Sequence, residues 1–571
     1  MKVSKHWLKE LVELKVTIEE VIKLLPLRTI GVKEETPQFF ELDMKGYNRA
    51  DLLSLRGVAY EVAAITDSKI RFSEQSENEY IWLSNNFPQT KIEVKNPDLC
   101  PTYCIAKIEG LKIEPSSPDW VKKLADSGMR SVNNVADVTN LIMLEYGQPL
   151  HSFDAGVVKD ETLIVRTTRE GEEIVTLDGK KRKLHPSDLL ITDPEKAVGI
   201  AGVMGGQNSE ITDSTNTILL EAAIFDPVNL RQTATRLNLQ SEASRRFQHG
   251  LTKKRCLQAF DAAIRMYESL GGKVTAITLS GNLVDQERKI TLTKKRLDTI
   301  IGIEIKPEAV ETYLNRLHFG VEKIQDGWEV TVPYFRLDIE IEDDVIEEVA
   351  RMYGYEKLPA KELPGETPKK IDQSFYELVY QLKNTLVNLG LTEIHTYSFY
   401  STQVLKNVNF DRRKLIKILN PMSAETEYMR NNLWPNLLEV TAKNIRNGIK
   451  DVAIFETGKV YQETPEGPKE SYHLAIAISN GTDNPIAELS VILNAVKDLS
   501  IYLSPTSVGD SSVISLPQND NGNLFHPNRF AVLEKDGKKI GKIGEIHPKF
   551  VNKFGIDQRI AILEIEFTKL Q

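Results

Sequence analysis

His151 lies near the end of the stretch NVADVTNLIMLEYGQPLHSFD, after an apolar run and a Gly-Gln-Pro turn, and is one of only nine histidines in 571 residues. Its imidazole could be a buried core group, a metal ligand or an acid–base catalyst. No HxH or HExxH spacing accompanies it, which argues against a metal. No nucleophile elbow supports a Ser-His-Asp set. Taken alone it reads as a satisfied structural histidine. Glu221 interrupts the apolar, strand-like run ILLEAAIFDP, and a carboxylate there is costly to bury unless it meets a partner or a polar substrate. Ser241-Glu242-Ala243-Ser244 opens a further turn.

A second concentration of chemistry lies in DIEIEDDVIEEVARMYGYE, residues 338–356. On a helix, Asp344, Glu347 and Glu348 fall at i, i+3 and i+4 and share a face. Asp338 lies just upstream, where the chain could fold back. Clustered carboxylate oxygens suit Mg²⁺; equally, acids gather at a helix N-terminus because the dipole favours them there. The glycine-rich AGVMGGQNSE, residues 201–210, lacks the Lys-Ser/Thr of a P-loop and the G-x-G-x-x-G spacing. It reads as a tight turn or a close backbone approach to a ligand. Cys100 and Cys104 form a C-x3-C pair with no second pair to complete a zinc site.

These residues need a scaffold, and the bulk numbers allow a large one. At about 100–200 residues per domain, the length corresponds to three to five domains. An apolar fraction of 41% and a charged fraction of 27% are those of a globular chain. The net charge of −9 excludes nucleic-acid binding by bulk electrostatics, so any RNA contact is expected to be local or shared with a partner. Three cysteines make no disulfide framework and fit a reducing cytosol. The start, MKVSKHWLKELVEL, is an amphipathic helix broken by charges, without the apolar core of a signal peptide. No stretch approaches the ~18 apolar residues of a membrane span. The chain is expected to be cytoplasmic.

Periodicity divides the chain into four parts of an α+β, multidomain protein. Residues 1–92 carry a helix through Trp7 and Leu11, a strand FFELDM, and a helix in RADLLSLRGVAYEVAAITD with Asn48 and Asp51 as candidate caps. In 93–286, TLIVRTTREGEEIVTLDGKKRKL reads as strands with a DG hairpin turn, and CLQAFDAAIRMYESL as a helix stopping at Gly271-Gly272. Residues 287–361 read as a strand KITLTKKRL, a helix PEAVETYLNRL, a strand WEVTVPY and the acidic helix. The following KLPAKELPGETPKK reads as a linker. Residues 362–571 open with a helix carrying Phe375, Leu378, Val379, Leu382, Leu386 and Leu389, and end in the strands RFAVLEKDGKKIGKIGEI and AILEIEFTKL.

Taken together, VNNVADVTNLIMLEYGQPLHSFD, AGVMGGQNSEITD, LLEAAIFDPVNLRQTATRLNLQSEASRRFQHG and DDVIEEVARMYGYEKLP resemble the bacterial phenylalanyl-tRNA synthetase β subunit family. YNRADLLSLRGVAYEVAAI and NPMSAETEYMRNNLWPNLLE extend the resemblance, in the family's order, over nearly the whole chain. It implies a mixed α/β editing domain at 93–286, small winged-helix-like modules, and a C-terminal class II synthetase-like antiparallel-sheet domain that binds the α subunit. That last domain is expected to be catalytically inactive, since the chain shows no G-x-G-x-G-x-x-R, HIGH or KMSKS stretch. The implied activity is ATP-dependent charging of tRNA(Phe) with phenylalanine in an (αβ)₂ heterotetramer, with ATP used at the α-subunit site.

The resemblance also implies hydrolysis of tyrosine wrongly esterified to tRNA(Phe). Glu221 matches the family's glutamate that reads the tyrosine phenol, and His151 its editing-site histidine. Thr139 and Asn140 match pocket-lining residues, while Gly202 and Ala243 match small residues that leave room for the ring. Ser241 stands where the bacterial pattern usually has Thr. Asp338, Asp344, Glu347 and Glu348 match positions assigned to Mg²⁺ shared with α, although such acids can instead pair with cations of α. Two departures are expected to matter. The inserted tRNA-binding module is missing near 33–40, where GVKEETPQFFELD runs straight through, and the chain stops before a C-terminal anticodon-binding domain. Two other readings remain: a structural scaffold with an idle editing pocket, and a freestanding editing hydrolase.

Overall fold

Period-two alternation in the apolar strands and helical periodicity in the segments between them generate a mixed helix-and-sheet architecture. A computed structural model describes residues 1–73, 80–84, 86–362, 365, 371–481, 484–501, 524–535 and 538–566. The chain separates into two compact units, Met1–Glu362 and Leu363–Gln571. Among the described residues no helix is long and apolar enough to cross a membrane.

The first unit begins with helices Lys5–Leu11 and Ile18–Arg28 beside a three-stranded sheet in which Phe39–Leu42 is central. A capping box at Thr17 and Glu20 fixes the start of the second helix. The helix Leu55–Thr66 is capped by Ser54, whose hydroxyl accepts from the Gly57 amide at 2.9 Å. Asn48 and Asp51, the expected caps, do not serve it. Asp51 sits in a short 3₁₀ turn, and its carboxylate is taken by Arg49 at 2.7 and 2.9 Å.

The centre of this unit is a four-stranded antiparallel sheet in the order Lys273–Gly281, Thr102–Glu109, Ile218–Ile224, Leu150–Asp154. Even-numbered residues of the two middle strands, such as Cys104, Ala106, Leu220 and Ala222, pack on the helices Asn134–Tyr146 and Lys253–Ser269. Odd-numbered ones, Tyr103, Ile105, Leu219 and Ala223, face a five-stranded sheet whose central strands are Leu189–Thr192 and Thr162–Thr167. The expected DG hairpin is present, with Glu173–Val175 paired to Lys181–Lys183.

Residues beyond this sandwich build a three-stranded antiparallel sheet and three helices. KITLTKKRL is a strand only to Thr293, and helix Lys294–Ile301 follows. Thr293 explains the switch: its hydroxyl accepts from the Arg296 amide, while its own amide and hydroxyl donate to Glu342 at 2.8 and 2.7 Å. The acidic segment is helix Glu342–Tyr353.

In the second unit a six-stranded sheet, antiparallel apart from the edge strand Thr392–Glu393, is covered on one face by helix Trp434–Arg446. Helices Ser374–Asn388 and Pro485–Ile501 cover the other, the first through Leu378, Leu382 and Leu386 as its periodicity requires. Half of the expected 357–370 linker and the last residues of AILEIEFTKL lie outside the described residues.

Candidate functional site

Glu221 and His151 are direct cross-strand partners, because the antiparallel register sets Ile218 against Asp154 and thereby Glu221 against His151. Residues directly opposite each other share a face. Both side chains therefore point to the odd-numbered, apolar side of the central sheet. The turn before His151 is held there by Gln148, whose buried amide donates to the Ala223 carbonyl of the Glu221 strand at 2.8 Å. The imidazole packs edge-on against Phe153 at 4.4 Å between ring centroids.

Glu221 is only 7% exposed. Its Oε2 accepts from the Tyr103 hydroxyl at 2.7 Å, the only hydrogen bond to this carboxyl among the described residues. Burial pushes the carboxyl up to about 7, and the Tyr103 hydrogen bond works against that rise. Burial alone pushes the His151 imidazole down to about 4. Nε2 of His151 is buried without a hydrogen-bond partner. A Cβ built on Gly205 would stand 2.7 Å from His151 Cε1 and 2.8 Å from Nε2, so a glycine is needed for the ring to lie where it does. The pair is therefore an imidazole and a carboxyl whose charged forms are both disfavoured by burial, without a cation paired to the carboxyl among the described residues.

The glycine-rich segment is the turn opposite this pair. Gly202 has φ of +65°, and a Cβ there would come within 2.4 Å of Leu230 and 2.9 Å of Phe225 and Phe247. The space that Gly202 leaves is filled by the chain's own apolar side chains. Ser241 caps helix Glu242–Gln248 and donates to the Val203 carbonyl at 2.8 Å, tying that helix to the same turn. Ala243 packs half-buried against the same cluster. Thr139 and Asn140 are half-buried on helix Asn134–Tyr146, which packs on the opposite face of the sheet through Val135, Val138 and Ile142. The Thr139 hydroxyl donates to the Ala136 carbonyl. Among the described residues no hydrogen bond joins Thr139 or Asn140 to His151 or Glu221.

The sequence reading singled out neither Tyr103 nor Gly205. The signal for Tyr103 was a lone phenol inside the apolar strand TYCIAKIE; that for Gly205 was the second half of the glycine-rich turn. Cys100 and Cys104 lie in the clusters on opposite faces of the sheet, so the pair cannot chelate one ion.

The acidic helix is organised differently. Arg336 forks onto Asp338 at 2.7 and 2.9 Å and onto Glu348 at 2.6 and 2.8 Å. Arg351 bridges Glu348 and Glu61, and Arg49 bridges Glu61 and Asp51. The result is a chain of alternating charges, Asp338–Arg336–Glu348–Arg351–Glu61–Arg49–Asp51, which joins the acidic helix to the N-terminal module. Asp344 spends Oδ2 on the amides of Glu340 and Ile341, and Glu347 is exposed. In this arrangement the four carboxylates do not fit a shared Mg²⁺ cage, because arginines occupy two of them. The group of three acids or histidines with ligand atoms in mutual reach, among the described residues, is His6, Glu10 and Asp119, where Lys123 already pairs with both acids.

Residues 99–272 match the family described as the B3/4 domain, 290–355 the tRNA synthetase B5 domain, and 358–567 the phenylalanyl tRNA synthetase beta chain CLM domain. The phenylalanine–tRNA ligase beta subunit of Geobacter metallireducens is 34% identical over 556 residues, covering 95% of this chain and 68% of its own. That of Staphylococcus aureus is 34% identical over 546 residues, covering 93% and 67%. An N-terminal fragment of the phenylalanyl-tRNA synthetase beta subunit from Pyrococcus horikoshii superposes with a TM-score of 0.35 at 18% identity, covering 62% of this chain and 99% of the fragment.

Two stability measurements check the electrostatics. The folded Glu221 carboxyl sits above its ordinary 4.5, at about 7, so its contribution is intact below 4.5 and is lost as pH rises towards 7. Glu221→Gln should therefore raise the unfolding free energy at pH 8, by up to about 3 kcal/mol, and leave it unchanged near pH 4.5. In the ion chain, burial pushes Glu61 up, but Arg351 and Arg49 outweigh it and hold the carboxyl at about 2. Its stabilisation is present above 4.5 and is lost as pH falls towards 2. Arg351→Met should destabilise the unit by roughly 3–5 kcal/mol at pH 7, and by less in acid, as read from denaturant titrations at both pH values.

Proposed function

The chain belongs to the phenylalanine–tRNA ligase beta subunit family, and from that premise we propose that its central sheet carries a hydrolytic site for tyrosine wrongly attached to tRNA(Phe). As a beta subunit it acts with an alpha subunit in the ATP-dependent charging of tRNA(Phe) with phenylalanine. The proposal is carried by one observation: a buried carboxyl faces an imidazole directly across the ladder, and among the described residues it pairs with no cation and only one of its oxygens holds a hydrogen bond.

The need for a second site follows from pocket energetics. An apolar pocket built for phenylalanine rejects an isostere that merely adds a hydroxyl by only ~10². A buried acceptor reverses the preference. The tyrosine phenol donates to the open oxygen of Glu221, whereas a phenylalanine ring would strip that oxygen of water and offer nothing in return. Sites of this kind reject the analogue lacking the hydroxyl by as much as ~10⁴. His151, neutral at pH 7, is too weak a base at about 4 to supply most of the driving force for proton removal. Its role in this reading is to orient the ester or the attacking water by hydrogen bonding. Gly202, Ser241 and Ala243 shape the surround through the turn and helix that Ser241 ties together, whereas Thr139 and Asn140 stand on the helix behind the sheet and would join the site only indirectly.

The second unit, with its mostly antiparallel six-stranded sheet, supports the reading of a class II synthetase-like core that binds α in an (αβ)₂ assembly. Its buried Arg430 is spent on Glu456 at 2.7 Å and on the Thr396 hydroxyl and Lys459 carbonyl, in keeping with a core that performs no adenylation. The sheet of residues 288–332 with its helices supports the winged-helix-like reading of that module. A Mg²⁺ shared with α would find Glu347 and one oxygen of Asp344 on the acidic helix; Asp338 and Glu348 could join only by giving up Arg336. The complex is assigned to the cytoplasm.

The complex with α should deacylate Tyr-tRNA(Phe) faster than Phe-tRNA(Phe). Glu221→Ala should reduce that preference by about 10²-fold or more, on the scale of leaving a buried polar contact unmade. Equal hydrolysis by wild type and the His151→Ala/Glu221→Ala double variant would leave the scaffold reading in its place. Without α, the chain should give no phenylalanine-dependent ATP–pyrophosphate exchange; robust exchange would contradict the division of labour.

A further inference from the structure

Tyr103 lies on the strand Thr102–Glu109, paired with the Glu221 strand so that Ile105 stands opposite Glu221 and Tyr103 opposite Ala223. It is thus the diagonal neighbour of Glu221 on the same face. Its ring is fully buried, and its hydroxyl makes a single hydrogen bond among the described residues, to Oε2 of Glu221. A buried tyrosine usually finds a backbone carbonyl or water for its hydroxyl. Here it is matched instead with the one carboxyl that the site has to keep available. The donor is also a phenol, the same group that distinguishes tyrosine from phenylalanine.

Two consequences follow from this geometry. Oε2 accepts from a rigid aromatic side chain with only two rotatable bonds, which favours one orientation of the carboxyl. The remaining donor-free oxygen, Oε1, is the one left for an incoming hydroxyl. The titratable groups facing Glu221 are Tyr103 and Cys100 from the strand and its lead-in, and His151 from the other side. Burial pushes the thiol and the phenol up and the imidazole down, so all three are uncharged at neutral pH. The Tyr103 hydroxyl is therefore the protein's means of favouring the ionised form of this carboxyl.

Resting on the reading of this site as a tyrosine-removing hydrolase, we propose that Tyr103 is the positioning residue for tyrosine selection: its phenol fills Oε2 of Glu221 and reserves Oε1 for the substrate's hydroxyl. A bound tyrosine completes a carboxylate held by two phenols, one from the protein and one from the substrate. The second donor lowers the carboxyl's affinity for its proton, so entry of tyrosine is coupled to proton release near neutral pH. Phenylalanine supplies no donor and releases none.

The test uses the assembled complex with α and both aminoacyl-tRNAs between pH 6 and 9. Tyr103→Phe keeps the ring and removes only the hydroxyl. It should lower the ratio of kcat/KM for Tyr-tRNA(Phe) over Phe-tRNA(Phe) at pH 7 by about tenfold, the scale of one hydrogen bond to a charged group, and move the pH midpoint of that ratio upward. Calorimetry of the wild-type complex with L-tyrosine, in two buffers of different ionisation enthalpy, should show proton release that L-phenylalanine lacks. An unchanged ratio and midpoint in Tyr103→Phe, or no proton release in wild type, overturns the proposal alone. A wild-type complex without any preference for Tyr-tRNA(Phe) overturns the proposal together with the reading beneath it.

Discussion

A carboxyl placed where the alternation of an apolar strand calls for a hydrocarbon side chain is the constraint around which the central sheet is arranged. Glu221 occupies an inward position between Leu219 and Ala223, and period-two geometry gives it no route to the surface short of slipping the whole strand. The strands on both sides fix that register. Ile105 and His151 stand opposite Glu221, and Tyr103 reaches it diagonally. Desolvation disfavours the ionised form, the Tyr103 hydroxyl offsets part of the cost, and the balance is held as lost stability. The surrounding structure has to be rigid enough to bear it.

That rigidity is visible in the way the unit treats its other buried acids. Asp51, Glu61 and Glu348 are each bound by at least one arginine, and the ion chain they form spans from the N-terminal module to the acidic helix. Coulombic attraction holds Glu61 and Glu348 below the usual carboxylate range in spite of their burial. Among the described residues Glu221 has no such partner and is displaced the other way. Within one compact unit, arginines convert Asp51, Glu61 and Glu348 into fasteners, while Glu221 is left with a single phenol. Breaking a buried pair is far more costly than the pair itself is worth, which makes the chain effective at fixing how the modules meet.

Local patterning exposed many of the elements and few of the contacts. The helix Ser374–Asn388 announced itself through Leu378, Leu382 and Leu386, and the hairpin through Asp178-Gly179, because both signals are local and physical. Helix starts were harder. Asp51 looked like a cap until Arg49 claimed its carboxylate, and Ser54 took the role; Thr293 ended a strand early because Glu342, far along the chain, bonded it. Resemblance put His151 and Glu221 in one site, but their pairing across the ladder came only from the structure, since antiparallel register between strands about 70 residues apart leaves no trace in either segment. Tyr103 was missed for the same reason: a tyrosine in an apolar strand is ordinary until its diagonal neighbour is known. The acidic helix shows the same limit. Its spacing places three carboxylates on one side, but spacing says nothing of Arg336 and Arg351, which take Glu348 between them.

Selection by a buried acceptor works through a difference in what each ligand does to one oxygen. Tyr103 serves Oε2 of Glu221, and in the proposed site Oε1 is the oxygen that a ligand reaches. A tyrosine ring displaces solvent and replaces its hydrogen bond with one from the phenol, so the exchange is nearly neutral for the oxygen and favourable for the ring. A phenylalanine ring makes the same apolar contacts but leaves Oε1 desolvated, at a cost of about 1–3 kcal/mol or more for a charged group. The carboxyl can escape by taking a proton, and at about 7 it is poised to do so near neutral pH. Each donor that lowers its proton affinity closes that escape and widens the gap between the two substrates. On the proposed reading, the burial that makes Glu221 expensive to fold is also what makes it selective, and the Tyr103 hydroxyl sets how much of that burial is turned to discrimination rather than relieved by protonation.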